Sequence, residues 1–285
     1  MTDGILIIDK PSAWTSHDVV GKLRKLLRTK RIGHTGTLDP FATGVLVMLV
    51  GKATRLAQFL DKDVKEYEAI IQFGFETDTG DLTGTQTVKG TKDKVSASEI
   101  EQVLEGFRGE ISQIPPMYSA KKVDGKKLYE LARQGIEIER KPVNITIYKL
   151  EMLETNGETA KIRVACSAGT YIRTLAEDIG RKLEICGHLS SLRRIKAGKF
   201  DISNAVKIEE AEITLLISMN DAVSHLPELQ ISAEEIVDLS HGKKIFRELK
   251  VANTTVRITD EANNLLAVGE YDETEKSIQP KIVFL

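Results

Sequence analysis

The stretch GHTGTLDPFATG, residues 33–44, places one carboxylate, that of Asp39, in a loop with unusual backbone constraints. Its three glycines permit backbone angles that other residues avoid, whereas Pro40 restricts itself and the residue before it to extended geometry. An apolar run follows at residues 45–50 and predicts a buried strand. A carboxylate held stiffly beside a core strand is a candidate nucleophile. The alternative is a loop aspartate that only closes a turn with its own backbone.

Length and composition are those of an ordinary soluble globular protein. The chain has 285 residues, 41% hydrophobic and 29% charged, which is comfortable for two domains. No apolar run approaches the roughly 18 residues that span a bilayer, and we expect no secretory signal, no membrane association and a cytoplasmic location. Cys166 and Cys186 stand in no metal-ligand spacing, so a reduced setting is the default and a metal site is disfavoured.

Charge is distributed unevenly along the chain. The net charge of −2 argues against a protein that coats nucleic acid indiscriminately, but basic residues gather in three clusters. Segregation of this kind permits a basic face that binds phosphate, although solvated helix faces would give similar clusters. The clusters are Lys22, Arg24, Lys25, Arg28, Lys30 and Arg31; Lys121, Lys122, Lys126 and Lys127; and Arg193, Arg194, Lys196 and Lys199.

Strands and helices must position these residues, and their patterns are mixed along the chain. Apolar spacing predicts a helix capped by Thr15 or Ser16, and Ser96 with Glu99 forms a capping box for another. Because the order is not strictly βαβ, we expect an α+β fold with a largely antiparallel sheet. The predicted strands are 5–8, 45–50, 65–73, 143–153 and 159–167, and the predicted helices cover 19–27, 53–60, 100–107, 127–134 and 172–183.

The tail has a different character from about residue 224 onward. A short helix at 233–239 and alternating strands at 251–259, 265–271 and 281–284 predict a small β-rich unit. We therefore predict one domain over residues 1–225 and a second over 226–285.

Four further motifs accompany the Asp39 loop. They are DKP at 9–11, KEYEA at 65–69, IPPMYSA at 114–120 and GTYIR at 169–173. In this order they closely resemble the TruB family of bacterial tRNA pseudouridine synthases, which isomerise the T-loop uridine at tRNA position 55. The resemblance runs from residue 4 to about 200. In the tail, LSHGKK at 239–244 resembles the family's PUA-like RNA-binding domain.

The resemblance implies a central, mostly antiparallel mixed sheet flanked by helices, and it implies roles for particular residues. Asp39 becomes the catalytic aspartate, and Arg173 its ion-pair partner. Tyr67 is implied to stack on the target base, and Tyr171 to lie in the same pocket.

Three other residues receive supporting roles from the same resemblance. His34 is implied to contact the RNA near the flipped nucleotide, and Leu192 to line the pocket. Lys10, with Pro11, matches the N-terminal motif that supports the floor of the active site.

The chemistry of this isomerisation explains the implied residue types. The N1–C1′ bond breaks, the base turns over, and it rejoins through C5, so the reaction needs no cofactor. Extruding the base costs a few kcal/mol, of which an aromatic platform returns about 1–3 kcal/mol. An arginine beside Asp39 favours its ionised form. The carboxylate could attack C1′, attack the uracil ring or assist removal of a sugar proton, and Tyr171 could be a base or only shape the pocket.

Two other classes of function stand beside this interpretation. One is a tRNA-binding or folding factor without catalysis, and the other is a metal-dependent enzyme. For the favoured interpretation we expect the T-arm of tRNA as partner, no obligatory protein partner and a monomer.

Overall fold

Two β-sheets organise the chain, which we describe from a computed structural model over residues 3–60, 64–92, 94–123 and 125–285. The strands are β1 (Gly4–Lys10), β2 (Ile32–Thr35), β3 (Thr43–Val50), β4 (Lys65–Phe73), β5 (Phe75–Thr77), β6 (Gln86–Lys89), β7 (Gly109–Gln113), β8 (Lys122–Val123), β9 (Lys126–Lys127), β10 (Val143–Thr155), β11 (Thr159–Cys166), β12 (Gly187–Ala197), β13 (Phe200–Asp201), β14 (Glu228–Gln230), β15 (Ile245–Phe246), β16 (Thr254–Thr259), β17 (Leu265–Asp272) and β18 (Ser277–Val283). The α-helices are α1 (Ser16–Leu26), α2 (Ala57–Leu60), α3 (Ala97–Glu105), α4 (Leu128–Ala132), α5 (Ile172–Lys182), α6 (Met219–Ala222) and α7 (Ala233–Ser240).

The larger sheet has the strand order β1-β3-β12-β4-β11-β10-β7, with β2 paired to β3 and β13 to β12. All of its pairings are antiparallel except that of β12 with β3. The parallel contact sets Arg193 opposite Thr43 and Arg194 opposite Gly44. It therefore brings the end of the Asp39 loop against the middle of the sheet.

The helices form where the sequence signals them. Thr15 caps α1 through a capping box with Asp18, and Ser96 caps α3 in the same way with Glu99. Helix α5 packs Leu175, Ala176 and Ile179 into the main core, as their spacing predicts. The α+β prediction with a mostly antiparallel sheet is confirmed.

The main domain differs from the sequence prediction in several elements, and two of these differences lie near the Asp39 loop or in the centre of the sheet. The helix predicted over 53–60 begins as a 3-10 helix, Gly51–Leu56, and only its last turn is α2. Strand β12 was not predicted, although it lies in the centre of the sheet. Bulges between Leu189 and Ser191 and between Arg194 and Lys196 break the two-residue alternation that identifies a strand.

The smaller sheet has the order β14-β16-β17-β18-β15 and packs against the outer face of β1 and β3. Leu265, Val268 and Phe284 share one apolar core with residues of β1 and β3. The Lys52 Nζ donates to the carbonyl of Phe284 at 2.6 Å. The C-terminal β-rich unit is thus attached to the main domain by core packing. In the described part of the chain, no helix has both the length and the apolar character to cross a membrane.

Candidate active site

The loop that carries Asp39 connects β2 to β3 and is fixed at several points. Gly36 and Gly44 have positive φ angles of 62° and 98°. A Cβ on Gly44 would lie 2.2 Å from the carbonyl oxygen of Arg194, so only glycine fits where β12 approaches. Ser16 holds the segment just before Asp39, because its Oγ accepts a hydrogen bond from Leu38 N at 3.0 Å. The stiff mounting expected from the sequence is present.

Arg173 holds the Asp39 carboxylate with two nitrogens. Its Nε lies 2.9 Å from Asp39 Oδ2, and its Nη2 donates to Asp39 Oδ1 at 3.1 Å. The same buried guanidinium donates to the carbonyl of Tyr118 at 2.7 Å and to that of Thr79 at 2.8 Å. A planar cation held by four acceptors fixes the direction of the carboxylate as well as its charge.

Burial shifts the pKa of Asp39 upward in spite of this ion pair. Desolvation is the largest influence and raises the pKa above its ordinary value, while the charge of Arg173 lowers it and that of Asp81 raises it again. The stabilisation of the ionised form that we expected from Arg173 exists, but burial outweighs it. Asp39 therefore takes up a proton at a higher pH than an exposed aspartate does.

Asp81 is a buried acidic residue of this site that the sequence interpretation missed. Its Oδ2 lies 3.9 Å from Arg173 Nη1, and its Oδ1 accepts from Thr79 Oγ1 and from Thr83 N, both at 2.9 Å. The sequence TDTGDLTG signals a turn, and two aspartates occur in it. Only the fold shows which of them turns inward.

A cavity of about 250 Å³ opens in front of the carboxylate, and we call it the Asp39 pocket. Tyr67 and Leu192 project into it from β4 and β12, and Tyr171 closes it from the start of α5. Gln113 holds the backbone of Tyr171, because its Oε1 accepts from Tyr171 N at 3.1 Å. The pocket is lined by Gly36, Thr37, Leu38, Asp39, Lys65, Tyr67, Ser119, Ala120, Lys121, Ala168, Gly169, Thr170, Tyr171, Ile172, Arg173, Leu192 and Arg194.

Lys10 lies behind the pocket and does not line it. It is fully buried, and its Nζ donates to the carbonyls of Trp14 at 2.6 Å and Pro40 at 3.2 Å. Burial lowers the pKa of Lys10 to about 8, although the nearby charge of Asp39 raises it. Lys10 thus supports the residue that follows Asp39.

His34 also lies outside the Asp39 pocket. It belongs to β2 and lines a separate recess of about 430 Å³ together with Thr37 and Gln58. Its ring stands edge-on to that of His17, with the ring centres 6.3 Å apart.

The first and third basic clusters of the sequence lie in different environments. In the third cluster, Arg194 is buried and Arg193 pairs with Asp9 at 2.7 Å. The first cluster, on and after α1, is largely exposed, and no ion pair to it occurs among the residues that the structure describes. The first cluster therefore keeps its charge available for a ligand.

A second cavity, of about 610 Å³, lies on the far side of Tyr118 and is called here the Glu177 cavity. It carries five carboxylates and two guanidinium groups. Burial raises the pKa of Glu177 to about 7, and the negative charges of Glu76 and Asp178 add to this rise. Its charged lining residues are Glu76, Asp78, Glu137, Arg140, Glu177, Asp178 and Arg181.

Metal chemistry finds little support in the arrangement of side chains. Within residues 3–60, 64–92, 94–123 and 125–285, no three His, Cys, Asp or Glu side chains come together as a metal site would require. The Asp39 pocket instead combines one carboxylate with two guanidinium groups, two lysines and two tyrosine rings.

Comparison with known proteins gives matches along almost the whole chain. The model for the TruB family pseudouridylate synthase N-terminal domain matches residues 24–172. The tRNA pseudouridylate synthase B C-terminal domain matches residues 173–237, and the C-terminal domain of pseudouridine synthase II TruB matches 227–284.

Curated relatives and solved structures agree with these matches. The chain is 41% identical to the tRNA pseudouridine synthase B of Dehalococcoides mccartyi, covering 99% of this chain and 97% of that protein. It is 43% identical to that of Aromatoleum aromaticum, covering 95% and 90%. It is also similar to a chain in the structure of an H/ACA RNP bound to a substrate RNA containing 2′-deoxyuridine, with a TM-score of 0.76, 26% identity and coverage of 100% and 86%.

Proposed function

The chain belongs to the TruB family of tRNA pseudouridine synthases, and we propose that it isomerises the uridine at position 55 in the T-loop of tRNA. It is an enzyme that converts uridine to pseudouridine within tRNA, an intramolecular isomerase. The position of the target uridine and the role of each side chain belong to our proposal.

The observation that carries the proposal is the Asp39 carboxylate, held from behind by two nitrogens of Arg173 and open to the Asp39 pocket. The target uridine leaves the T-loop stack and enters this pocket. There Tyr67 stacks on the base, while Tyr171 and Leu192 close the remaining walls. The cost of unstacking, a few kcal/mol, is partly returned by contact with the aromatic ring.

Asp39 acts once the base is in place. The N1–C1′ bond breaks, the base rotates, and a C5–C1′ bond forms, while the proton on C5 is lost and N1 gains one. The atoms therefore balance without a cofactor. Attack at C1′, attack on the uracil ring and removal of a sugar proton all require an ionised carboxylate, and Arg173 opposes the effect of burial on its protonation.

The rest of the molecule serves to bind tRNA. We propose that residues 1–225 form the catalytic domain and that residues 226–285 form a PUA-like RNA-binding domain, whose sheet begins at Glu228. His34 contacts the RNA beside the flipped nucleotide from its recess next to the loop. Lys10 supports the loop through Pro40. The enzyme acts on the T-arm as a monomer in the cytoplasm, without an obligatory protein partner.

Substitution of Asp39 by asparagine tests this proposal. We expect Asp39→Asn to bind tRNA with nearly unchanged affinity, because the amide keeps the shape of the loop. The rate of tritium release from 5-tritiated uridine in tRNA should fall by about 10³-fold or more, because the reacting carboxylate is gone. Mass mapping of the treated tRNA should find pseudouridine at position 55 with the wild type only.

Asp178→Asn is the matched control, because the Asp178 side chain is 33% exposed, as is that of Asp39, and also pairs with an arginine. It should leave the rate unchanged. Full activity of Asp39→Asn would refute the catalytic assignment. Pseudouridine at another position would refute only the choice of uridine. A wild-type protein that binds tRNA without forming pseudouridine would favour a binding or folding factor.

A further inference from the structure

Arg194 is the largest fully buried side chain among residues 3–60, 64–92, 94–123 and 125–285, with 1% of its surface exposed. Among the described residues, no carboxylate pairs with it. Its guanidinium instead donates to backbone carbonyls, from Nε to Val45 at 2.7 Å and from Nη2 to Gly36 at 2.8 Å. Burying a cation without a carboxylate partner costs desolvation free energy. We therefore expect Arg194 to have a role other than stabilising the fold.

The two carbonyl groups lie at opposite ends of the loop that carries Asp39. Gly36 lies before Asp39 in the loop, and Val45 is the third residue of β3, which follows the loop. The backbone of Arg194 adds a third contact, because it lies directly against Gly44. One residue of β12 therefore clamps both ends of the loop.

Arg194 also reaches the aromatic ring on the other side of the pocket. In the pairing of β12 with β4 it lies directly opposite Tyr67. Burial raises the pKa of the Tyr67 hydroxyl, and the positive charge of Arg194 opposes this rise.

We propose that Arg194 is a positioning residue that sets the distance and orientation between Asp39 and Tyr67. This inference rests on the proposed function. One rigid guanidinium joins the loop with the carboxylate to the ring that receives the base. A lysine keeps the charge but offers a single ammonium, which cannot hold the carbonyls of Gly36 and Val45 in the same geometry.

The test separates the chemical step from tRNA binding. Single-turnover rates at saturating tRNA, and tRNA affinity, are measured for wild type, Arg194→Lys and Arg194→Met. A misplacement of about 1 Å can cost about 10²-fold in rate. We expect the rate to fall about 100-fold in Arg194→Met and about 10-fold in Arg194→Lys. The dissociation constant for tRNA should change by less than about threefold, because the side chain is buried.

Arg257→Met provides the control for lost stability. Arg257 is a half-buried arginine of β16, with 14% of its side chain exposed; it pairs with Glu228 at 2.9 Å, and its Nη1 donates to Asn220 Oδ1 at 2.6 Å. This variant should lower the melting temperature and leave the rate unchanged. Folded Arg194 variants that react at the wild-type rate overturn the inference. A wild type that forms no pseudouridine overturns the proposed function instead.

A double substitution keeps the inference testable if Arg194→Met does not fold. Tyr67→Phe removes only the hydroxyl of the ring that lies opposite Arg194 in the sheet. If Arg194 acts partly through this hydroxyl, the effect of Arg194→Lys on the rate should be smaller in the Tyr67→Phe background than in the wild type. Effects that multiply without coupling would refute the link between Arg194 and Tyr67.

Discussion

The Asp39 pocket and the Glu177 cavity lie side by side, yet their linings carry opposite charge. Met117 and Tyr118 face the Glu177 cavity, whereas Ser119 and the two residues after it face the Asp39 pocket. The charged lining residues of the pocket are one carboxylate, Asp39, and four basic groups, Lys65, Lys121, Arg173 and Arg194. The larger cavity reverses this excess, with five carboxylates and two guanidinium groups.

If the proposed function is correct, charge and not volume distinguishes the RNA site from the neighbouring cavity. A polyanion is attracted to a recess lined by cations and repelled by one lined by carboxylates. Burial raises the pKa of both Asp39 and Glu177. In both cases the charge of an arginine opposes the rise, Arg173 for Asp39 and Arg181 for Glu177, and carboxylates add to it, Asp81 in the first case and Glu76 and Asp178 in the second. It is the excess of basic groups in its lining that makes the smaller cavity fit the proposed chemistry on RNA.

Two arginines of the same helix provide the strongest test of this comparison. Arg173 lines the Asp39 pocket and donates to Asp39. Arg181 lines the Glu177 cavity, where its Nε donates to Glu76 at 2.7 Å. We expect Arg173→Met to lower the single-turnover rate by about 10²-fold to 10³-fold, because Asp39 loses its orientation and its opposing charge. Arg181→Met should leave the rate within about threefold of the wild type.

Circular dichroism and thermal unfolding of both variants provide the control. Both substitutions leave a carboxylate without its guanidinium partner, so both should lower the melting temperature. Equal losses of rate in the two variants would mean that the cavities do not differ in function.

The pH dependence of stability gives a second test. The pKa of Glu177 is about 7 in the folded protein and 4.5 ordinarily, so the folded state holds an extra proton between these values. The stabilising contribution of Glu177 to the free energy of unfolding is therefore fully present below about pH 4.5 and is lost as the pH rises through 7. In urea unfolding, the free energy of unfolding of Glu177→Gln should rise relative to that of the wild type by on the order of 3 kcal/mol between pH 5 and pH 8.

Glu137→Gln, which changes another lining residue of the same cavity, is the matched control, because this glutamate is largely exposed. Its stability should follow that of the wild type at every pH. If the free energies of unfolding of Glu177→Gln and the wild type change in parallel with pH, the pKa of Glu177 is not raised in this cavity.

The sequence predicted one side of this comparison well. Asp39, Tyr67, Tyr171 and Arg173 meet in one pocket, because each belongs to a motif with a recognisable loop, strand or helix start, and Leu192, indicated only by the family resemblance, joins them. Their roles in the reaction remain predictions.

Other features could not be predicted, because they depend on tertiary contacts. Arg194 belongs to a basic cluster in the sequence, and only the pairing of β12 with β3 and β4 shows that it is buried. Asp81 and Glu177 lie in segments that resemble an ordinary turn and an ordinary helix face. Bulges concealed β12 itself, and no local pattern indicated that Tyr118 would separate two cavities.

Ionic strength gives the smallest expected effect and tests the charges directly. Lys121 lines the Asp39 pocket, and no ion pair to it occurs in the described part of the chain. If the pocket attracts RNA phosphate, Lys121→Gln should weaken tRNA binding by about 1 kcal/mol, or about fivefold. The slope of log affinity against log salt should also become shallower by about one. Glu137→Gln removes a charge of the other sign from the Glu177 cavity and should not weaken binding. If both variants shift the salt dependence equally, the RNA does not distinguish the two cavities, and the contrast between them is only structural.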